Sequence, residues 1–216
     1  MTAQLEFFTN PMSRGQIVRW MLEEVGAPYE THILDYQTSM KAAPYLAINP
    51  MGKVPAIRHD GVVVSEVAAI CAYLADAFPA AGLAPPVDRR GDYYRWLFFA
   101  AGPIEAAFTN KAAGFDPPPE RRALFGYGTF ELAVDALEKA VAGKDYIAGD
   151  RFSAADLYVG SQIGFMLQFG MLEPRPAFSD YVARVTGRPA HARAKKIDAD
   201  LIAAANAAAP APTPAN

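Results

Sequence analysis

The chain is poor in the side chains that bind metals or form covalent crosslinks. Its one cysteine, Cys71, excludes an intramolecular disulfide and a cysteine-based zinc cluster. The three histidines (His32, His59 and His191) are isolated and lack metal-ligand spacing. No apolar run reaches about eighteen residues, the length a membrane helix needs, and no basic segment followed by an apolar one opens the chain. We therefore expect a cytoplasmic protein without a metal site.

The chain also has little excess of one sign of charge over the other. The 20 Lys and Arg residues nearly balance the 23 Asp and Glu residues, so the chain has no electrostatic footprint for nucleic acid. Hydrophobic residues make up 52% of the sequence, which is typical of a globular protein with a substantial core. The 216 residues are enough for two small domains or one large one. We expect neither a nucleic-acid nor a membrane partner.

The most informative stretch is Asn49–Ile57, with the sequence Asn-Pro-Met-Gly-Lys-Val-Pro-Ala-Ile. Pro55 cannot donate to a sheet ladder, so it marks the start of a strand or a turn. The proline also favours extended backbone at Val54. If the Val54–Pro55 bond is cis, the Val54 N–H and C=O turn outward and can pair with a peptide; the sequence leaves the isomer open.

A hairpin and a helix start follow this stretch. Asp60-Gly61 is a two-residue hairpin signal between the apolar runs 56–58 and 62–64. Ser65 and Glu66 then precede a helical pattern, whose apolar face is formed by Val67, Ile70, Cys71, Leu74 and Phe78. The free N–H groups of a helix start attract carboxylates. An extended edge beside such a helix suits a small, peptide-like ligand with a carboxylate.

The first half of the chain alternates strand and helix patterns. Strands are predicted at 5–8 and 29–34, a helix between Ser13 and Gly26, and a weaker helix at 41–48. With the hairpin and the next helix, the order is βαβαββα.

The second half of the chain is helical. Residues 80–87 are rich in proline and form the predicted linker. A helical pattern with a kink at Gly102-Pro103 follows, then a helix with Phe130, Val134, Leu137 and Val141 on one face. Ser153-Ala-Ala-Asp156 has the form of a helix capping box. Further helices fit 178–186 and 189–205, and the alanine- and proline-rich end is predicted to be disordered.

The motifs N-P-x-G-x-V-P, D-G and S-E-x-A-A-I-x-x-Y-L, in this order, resemble the glutathione-binding half of the cytosolic glutathione transferases. The resemblance covers roughly residues 4–205 and is to a bacterial member that is serine-type and theta-like or unclassified. It implies a thioredoxin-like α/β domain at residues 1–79, a linker at 80–87 and an all-α C-terminal domain at 88–205. Residues 206–216 would be a disordered tail.

The resemblance assigns thiol activation to Ser13. Lowering a thiol pKa by two units takes roughly 2.7 kcal/mol, and a hydroxyl hydrogen bond to a charge contributes about 1.5–3 kcal/mol. Phe8 stands where other classes carry a tyrosine, and no cysteine lies in the loop. Thr9 and Asn10 can also donate, and Ser13 could instead only cap the helix.

The remaining site residues are also implied by the resemblance. Glu66 would receive the γ-glutamyl amino group with Ser65 beside it, Lys53 would lie near the glycine carboxylate, and Val54 would pair through its backbone. Val67 stands where the family usually has serine or threonine, which removes one donor. The alternative for Ser65 and Glu66 is an ordinary helix cap.

The implied function is conjugation of glutathione, a co-substrate, to small apolar electrophiles by a homodimeric detoxification enzyme. Alternatives are a glutathione-dependent peroxidase, isomerase or ether-cleaving enzyme, and a non-catalytic protein-interaction module. The aromatic residues that follow the linker could line the electrophile pocket or belong to the core.

Overall fold

The computed structural model describes residues 4–208 and divides into two compact units. The first unit comprises the chain up to Val67 together with the segment from Pro189 onward, and the second comprises Ala68–Arg188. The predicted boundaries at residues 79, 87 and 205 stay predictions. Of the predicted disordered tail, residues 206–208 continue the last helix, and residues 209–216 lie outside the described part.

The first unit is built on a four-stranded mixed sheet with the strand order β2-β1-β3-β4. Its strands are β1 (Leu5–Thr9), β2 (Glu30–Ile33), β3 (Ala56–His59) and β4 (Val62–Ser65). Strand β1 runs parallel to β2 and antiparallel to β3, and β3 pairs antiparallel with β4. This sheet and the helices that follow its strands confirm the predicted thioredoxin-like topology.

Turn chemistry matches the sequence prediction at two positions of the first unit. Asp60 and Gly61 have φ values of 48° and 85°, so both central residues of the β3–β4 turn are left-handed, as a type I′ hairpin requires. Helix α1 (Gly15–Val25) ends at Gly26, whose left-handed backbone donates its N–H to the Leu22 carbonyl.

The connection between β2 and β3 is less helical than predicted. A short 3₁₀ turn (Ser39–Lys41) precedes α2, which spans only Ala43–Leu46. Pro44 in its first turn suits a helix start, since the backbone N–H that proline lacks would have no partner within the helix there. This segment packs on one sheet face in a core formed by Phe8, Met40, Tyr45 and Ala56, with Leu34, Ile48 and Val54 around it.

Helix α3 (Val67–Ala77) leads from the sheet into the second unit. There the elements are α4 (Gly91–Phe99), α5 (Glu105–Ala112), α6 (Phe130–Val141), α7 (Ala154–Gln168) and α8 (Pro176–Thr186). A π-helical stretch, Ala100–Ile104, joins α4 to α5 and contains the Gly102-Pro103 pair. Helix α9 (Pro189–Ala208) belongs to the first unit, where it packs on α1.

The aromatic residues of α4 divide between core and surface. Tyr93 and Trp96 are buried, whereas Tyr94 is 42% and Phe98 72% exposed. Leu97 is also buried, so Tyr93, Trp96 and Leu97 form the buried face of this helix. The exposed aromatic residues of the second unit remain available for ligand or protein contacts.

The predicted capping box forms at the start of α7. The Asp156 carboxylate accepts hydrogen bonds from the Ser153 N–H (2.9 Å) and hydroxyl (2.8 Å). It also accepts from the Ile147 N–H and from the Tyr181 hydroxyl. Burial raises the pKa of Asp156 although these four donors oppose the shift. The carboxyl thus joins three segments of the second unit.

Candidate functional site

The predicted site residues gather at one end of the sheet. Phe8 pairs with Ala56, and Ala56 pairs with Ser65, so these three residues form a row across β1, β3 and β4. The loop that carries Ser13 follows Phe8, the Lys53–Val54 segment precedes Ala56, and Glu66 follows Ser65. Sheet register therefore brings together segments that are about 40 residues apart in sequence.

Ser13 lies at the N-terminus of α1 and is half-buried. Its hydroxyl donates to the Asn10 carbonyl at 2.6 Å and accepts the Gly15 N–H at 2.9 Å. The second bond satisfies one of the four free N–H groups of the first turn, although Arg14 rather than Ser13 is the N-cap residue. Because the hydroxyl carries one proton, it can serve a ligand only by giving up its bond to Asn10.

The two alternative donors in this loop are less accessible. Thr9 is 1% exposed, and its Oγ1 lies 3.4 Å from the Asn10 carbonyl. The Asn10 side chain is 9% exposed, donates to the Leu34 carbonyl and accepts from the Met12 N–H. The nitrogen and the oxygen of the Asn10 side-chain amide therefore both take part in holding the loop.

Gly15 allows the loop and the helix to approach each other closely. A Cβ atom at this position would lie 1.9 Å from Thr9 Oγ1 and 3.0 Å from Ser13 Oγ. Only glycine fits at this contact, because a distance below 3.0 Å is far inside van der Waals separation. The position of Ser13 therefore depends on a glycine two residues later.

The segment before β3 contains a residue whose backbone groups are unpaired. The Val54–Pro55 bond is cis. Across residues 4–208, the Val54 N–H and C=O have no hydrogen-bond partner. Unpaired backbone groups of this kind can receive an extended peptide.

Three side chains hold this segment in place, and sequence reasoning missed all of them. Lys53 O accepts from the Tyr45 hydroxyl (2.6 Å) and from Asn49 Nδ2 (2.8 Å). Gly52 O accepts from Lys41 Nζ at 2.7 Å. Asn49 lies in the sequence motif itself. No local pattern identifies Tyr45 as the partner of Lys53 O or Lys41 as the partner of Gly52 O.

The β4–α3 junction supplies polar groups on a strained backbone. Glu66 is exposed and has a φ of 67°, in the left-handed region that non-glycine residues rarely adopt. Within the described residues, the Ser65 hydroxyl, the Glu66 carboxylate and the Lys53 ammonium have no hydrogen-bond partner. Strain of this kind concentrates at ligand sites, which makes Glu66 a strong candidate.

Cys71 lies outside this set. It is 0% exposed, and burial raises the pKa of its thiol to about 12, so it is packed as a small apolar residue. Among residues 4–208, no group of three His, Cys, Asp or Glu side chains could hold a metal ion. No helix in this range is long and apolar enough to span a membrane.

Two family models match the chain: the glutathione S-transferase N-terminal domain at residues 12–77 and the C-terminal domain at residues 128–189. Glutathione S-transferase GstA of Escherichia coli O157:H7 is 30% identical over 150 residues, which cover 67% of this chain and 73% of GstA. An uncharacterized GST-like protein of Streptococcus mutans is 30% identical over 175 residues. The match covers 71% of this chain, but only 64% of that protein's length.

Solved structures agree with these sequence matches. A sphingomonad glutathione S-transferase in complex with glutathione aligns with a TM-score of 0.73 and 30% identity, covering 90% of this chain and 98% of that one. A glutathione transferase from Methylococcus capsulatus aligns with a TM-score of 0.74 and 28% identity, again over 90% and 98% of the two chains. The chain belongs to the glutathione S-transferase family, an enzyme family with glutathione as co-substrate.

Proposed function

We propose that this transferase binds glutathione at the sheet end formed by the Ser13 loop, the Lys53–Val54 segment and the β4–α3 junction. The observation that carries the proposal is the unpaired Val54 backbone, because its segment and the loop with the half-buried Ser13 adjoin the same row of the sheet. Binding at this site would place the glutathione thiol beside Ser13. The thiolate would then attack an electrophilic carbon.

The tripeptide has a complementary group for each segment. Glu66 would accept the γ-glutamyl ammonium, and Ser65 with the first N–H groups of α3 would receive the neighbouring carboxylate. Lys53, exposed and without an ion-pair partner within residues 4–208, suits the glycine carboxylate. Val67 offers only its backbone, so the Ser65 hydroxyl is the side-chain donor left for the γ-glutamyl carboxylate.

Ser13 would stabilise the bound thiolate. Its hydroxyl would exchange a bond to a neutral carbonyl, worth about 0.5–1.5 kcal/mol, for a bond to an anion, worth about 1.5–3 kcal/mol. The net gain is roughly 1 kcal/mol, and the helix N-terminus adds about 0.3–1 kcal/mol. We therefore expect the pKa of bound glutathione to fall by about one unit rather than two.

The proposed reaction is conjugation to small apolar electrophiles. Exposed aromatic side chains of the second unit support this substrate class: Tyr94, Phe98, Phe165 and Phe169. Phe165 and Phe169 form a tilted ring pair with centroids 4.5 Å apart, and both rings are partly exposed. Reduction of peroxides and ether cleavage would use the same thiolate and are the alternatives that the experiment must separate.

The deciding experiment is a calorimetric titration with glutathione, combined with thiolate absorbance across neutral pH. We expect saturable binding with a thiolate signal, and a Ser13→Ala variant that still binds but shows a thiol pKa nearer that of free glutathione. Turnover of a chlorinated aromatic then supports conjugation, whereas turnover of an organic hydroperoxide alone supports a peroxidase. Absence of binding at millimolar glutathione overturns the proposal.

We also expect a homodimer, because the chain belongs to this family. Sedimentation velocity of the full chain at micromolar concentration tests this, and a single species at the monomer mass contradicts it. The measurement is independent of glutathione binding.

A further inference from the structure

The Lys53 carbonyl accepts hydrogen bonds from two buried residues at once. The Tyr45 hydroxyl lies 2.6 Å and Asn49 Nδ2 lies 2.8 Å from Lys53 O. Tyr45 is 3% and Asn49 5% exposed, so water does not replace either donor. Two shielded donors on one carbonyl fix its orientation, since rotation of the peptide group would break both bonds.

This carbonyl shares a planar peptide group with the Val54 N–H. An orientation imposed on the Lys53 oxygen is therefore also imposed on the Val54 hydrogen, which points the opposite way across the same plane. Hydrogen bonds on the carbonyl also polarise the group and strengthen its N–H as a donor. The Val54 N–H itself has no partner among residues 4–208 and is free to act on a ligand.

We propose that Tyr45 is a positioning residue for glutathione: through the Lys53–Val54 peptide group, it orients and strengthens the N–H that Val54 donates to the cysteinyl residue. The inference rests on the proposed glutathione site. A strand residue that uses both of its backbone groups exchanges two bonds with one residue of its partner. In glutathione, only the cysteinyl residue has both an amide N–H and an amide C=O.

The surroundings of Tyr45 suit this task. Burial raises the pKa of Tyr45 to about 12, so its hydroxyl keeps its proton and remains a donor throughout the neutral range. Its ring packs beside Phe8, with ring centroids 5.9 Å apart. On the other side, Lys41 holds Gly52 O, and Gly52 is in a left-handed conformation where a Cβ would lie 2.8 Å from Met40 O. The segment is therefore held at two successive carbonyls.

The test is Tyr45→Phe, which removes one hydroxyl and keeps the ring. In the free protein, we expect the Lys53 carbonyl carbon and the Val54 amide proton to shift upfield by NMR. The glutathione Kd and KM should rise together by about two- to tenfold, the equivalent of one net hydrogen bond. The kcat at saturating glutathione and the pKa of the bound thiol should stay unchanged, because Ser13 is not altered.

Tyr181→Phe is the matched control. Tyr181 is equally buried, and its hydroxyl donates at 2.8 Å to Asp156 in the second unit. We expect this variant to lower the Tm without changing the glutathione Kd. A similar rise in Kd for both variants would mean that loss of stability, rather than positioning, weakens binding, and would overturn the inference.

A glutathione analogue with an ester in place of the cysteinyl–glycine amide probes the same bond from the ligand side. An ester carbonyl is a weaker acceptor than an amide carbonyl. Tyr45→Phe should therefore raise the Kd of this analogue by a smaller factor than the Kd of glutathione. Equal factors for the two ligands, or an unchanged glutathione Kd in Tyr45→Phe, overturn the inference and leave the proposed function intact. If the wild-type protein binds no glutathione, the proposed function itself fails.

Discussion

Arg19 and Asp198 form a buried ion pair between the first and the last helix of the structure. Arg19 Nε lies 2.7 Å from Asp198 Oδ1, and the two residues are 1% and 4% exposed. Arg19 also donates to the Tyr29 hydroxyl at 3.2 Å and lies over the Phe7 ring. Burial raises the pKa of Asp198, and the nearby guanidinium opposes that shift.

Asp198→Ala should destabilise the protein strongly, because it leaves the Arg19 charge buried without its counterion. Breaking a buried pair on one side typically costs about 3–5 kcal/mol. Urea unfolding should therefore show a clearly lower midpoint. The matched control is Asp200→Ala on the same helix, where the exposed pair with Lys196 (2.7 Å) contributes about 0–1 kcal/mol. Equal losses for the two variants would contradict this account.

Glu66 combines a proposed ligand contact with a strained backbone, and two substitutions separate these roles. Glu66→Gly and Glu66→Ala both remove the carboxylate, so both should weaken glutathione binding. Only glycine relieves the left-handed conformation, whose cost for other residues is roughly 1–2 kcal/mol.

We therefore expect Glu66→Gly to be more stable than Glu66→Ala, by thermal unfolding, at similar glutathione Kd. If glutathione affinity in Glu66→Ala equals that of the wild type, the residue has no role in binding. If the alanine variant is as stable as the glycine variant, the backbone is not strained at this position.

Gly15→Ala should displace the first turn of α1, because the new Cβ would overlap Thr9 Oγ1. Overpacking of this kind costs about 1–3 kcal/mol. With Ser13 shifted, the thiolate absorbance of bound glutathione should fall more than glutathione affinity does.

Thr9 provides the control for Gly15→Ala. Adding Thr9→Ala removes the Oγ1 atom and should restore part of the stability, although Thr9 Cβ would still be 3.1 Å away. Adding Thr9→Val keeps a branch of the same size and should restore little. Equal rescue by both substitutions would show that the overlap is not the cause.

The ionisation of Glu6 makes the stability of the folded state depend on pH in the acid range. Its carboxylate, 6% exposed, binds the Arg58 guanidinium at two points and lies 3.1 Å from His32 Nε2. The Arg58 hydrogen bonds hold the pKa of Glu6 below its usual value, against the opposing effect of burial. A lowered carboxyl pKa stabilises the folded state above the unfolded pKa, near 4.5, and this stabilisation is lost as the pH falls through the folded value.

We therefore expect Glu6→Gln to have a lower Tm than the wild type at pH 7 and a smaller difference from it near pH 3. Glu173→Gln, at an exposed position of the second unit, is the control and should follow the wild-type pH profile. A constant difference between Glu6→Gln and the wild type across this range would rule out the ionised carboxylate as the cause.

Local patterns were sufficient to predict much of the architecture. The Asp60-Gly61 hairpin, the Gly26 helix end and the Ser153–Asp156 capping box each depend on neighbours within four residues, so the sequence alone indicates them. The weak helix at 41–48 was overestimated, because its apolar residues serve a loop core rather than a continuous helical face.

Contacts between residues far apart in sequence decided which polar groups are accessible and how they pair. The sequence left Thr9 and Asn10 open as alternatives to Ser13, and only the packing of the loop leaves Ser13 as the accessible donor. No local signal pairs Arg19 with Asp198, 179 residues later, or directs the Tyr45 hydroxyl to Lys53 O. The sequence by itself determined the family and the order of strands and helices along the first unit, and it indicated the segments of the proposed site. Tertiary structure decided which polar atoms are buried, paired or free, because burial and hydrogen bonding depend on groups that meet only when the chain folds.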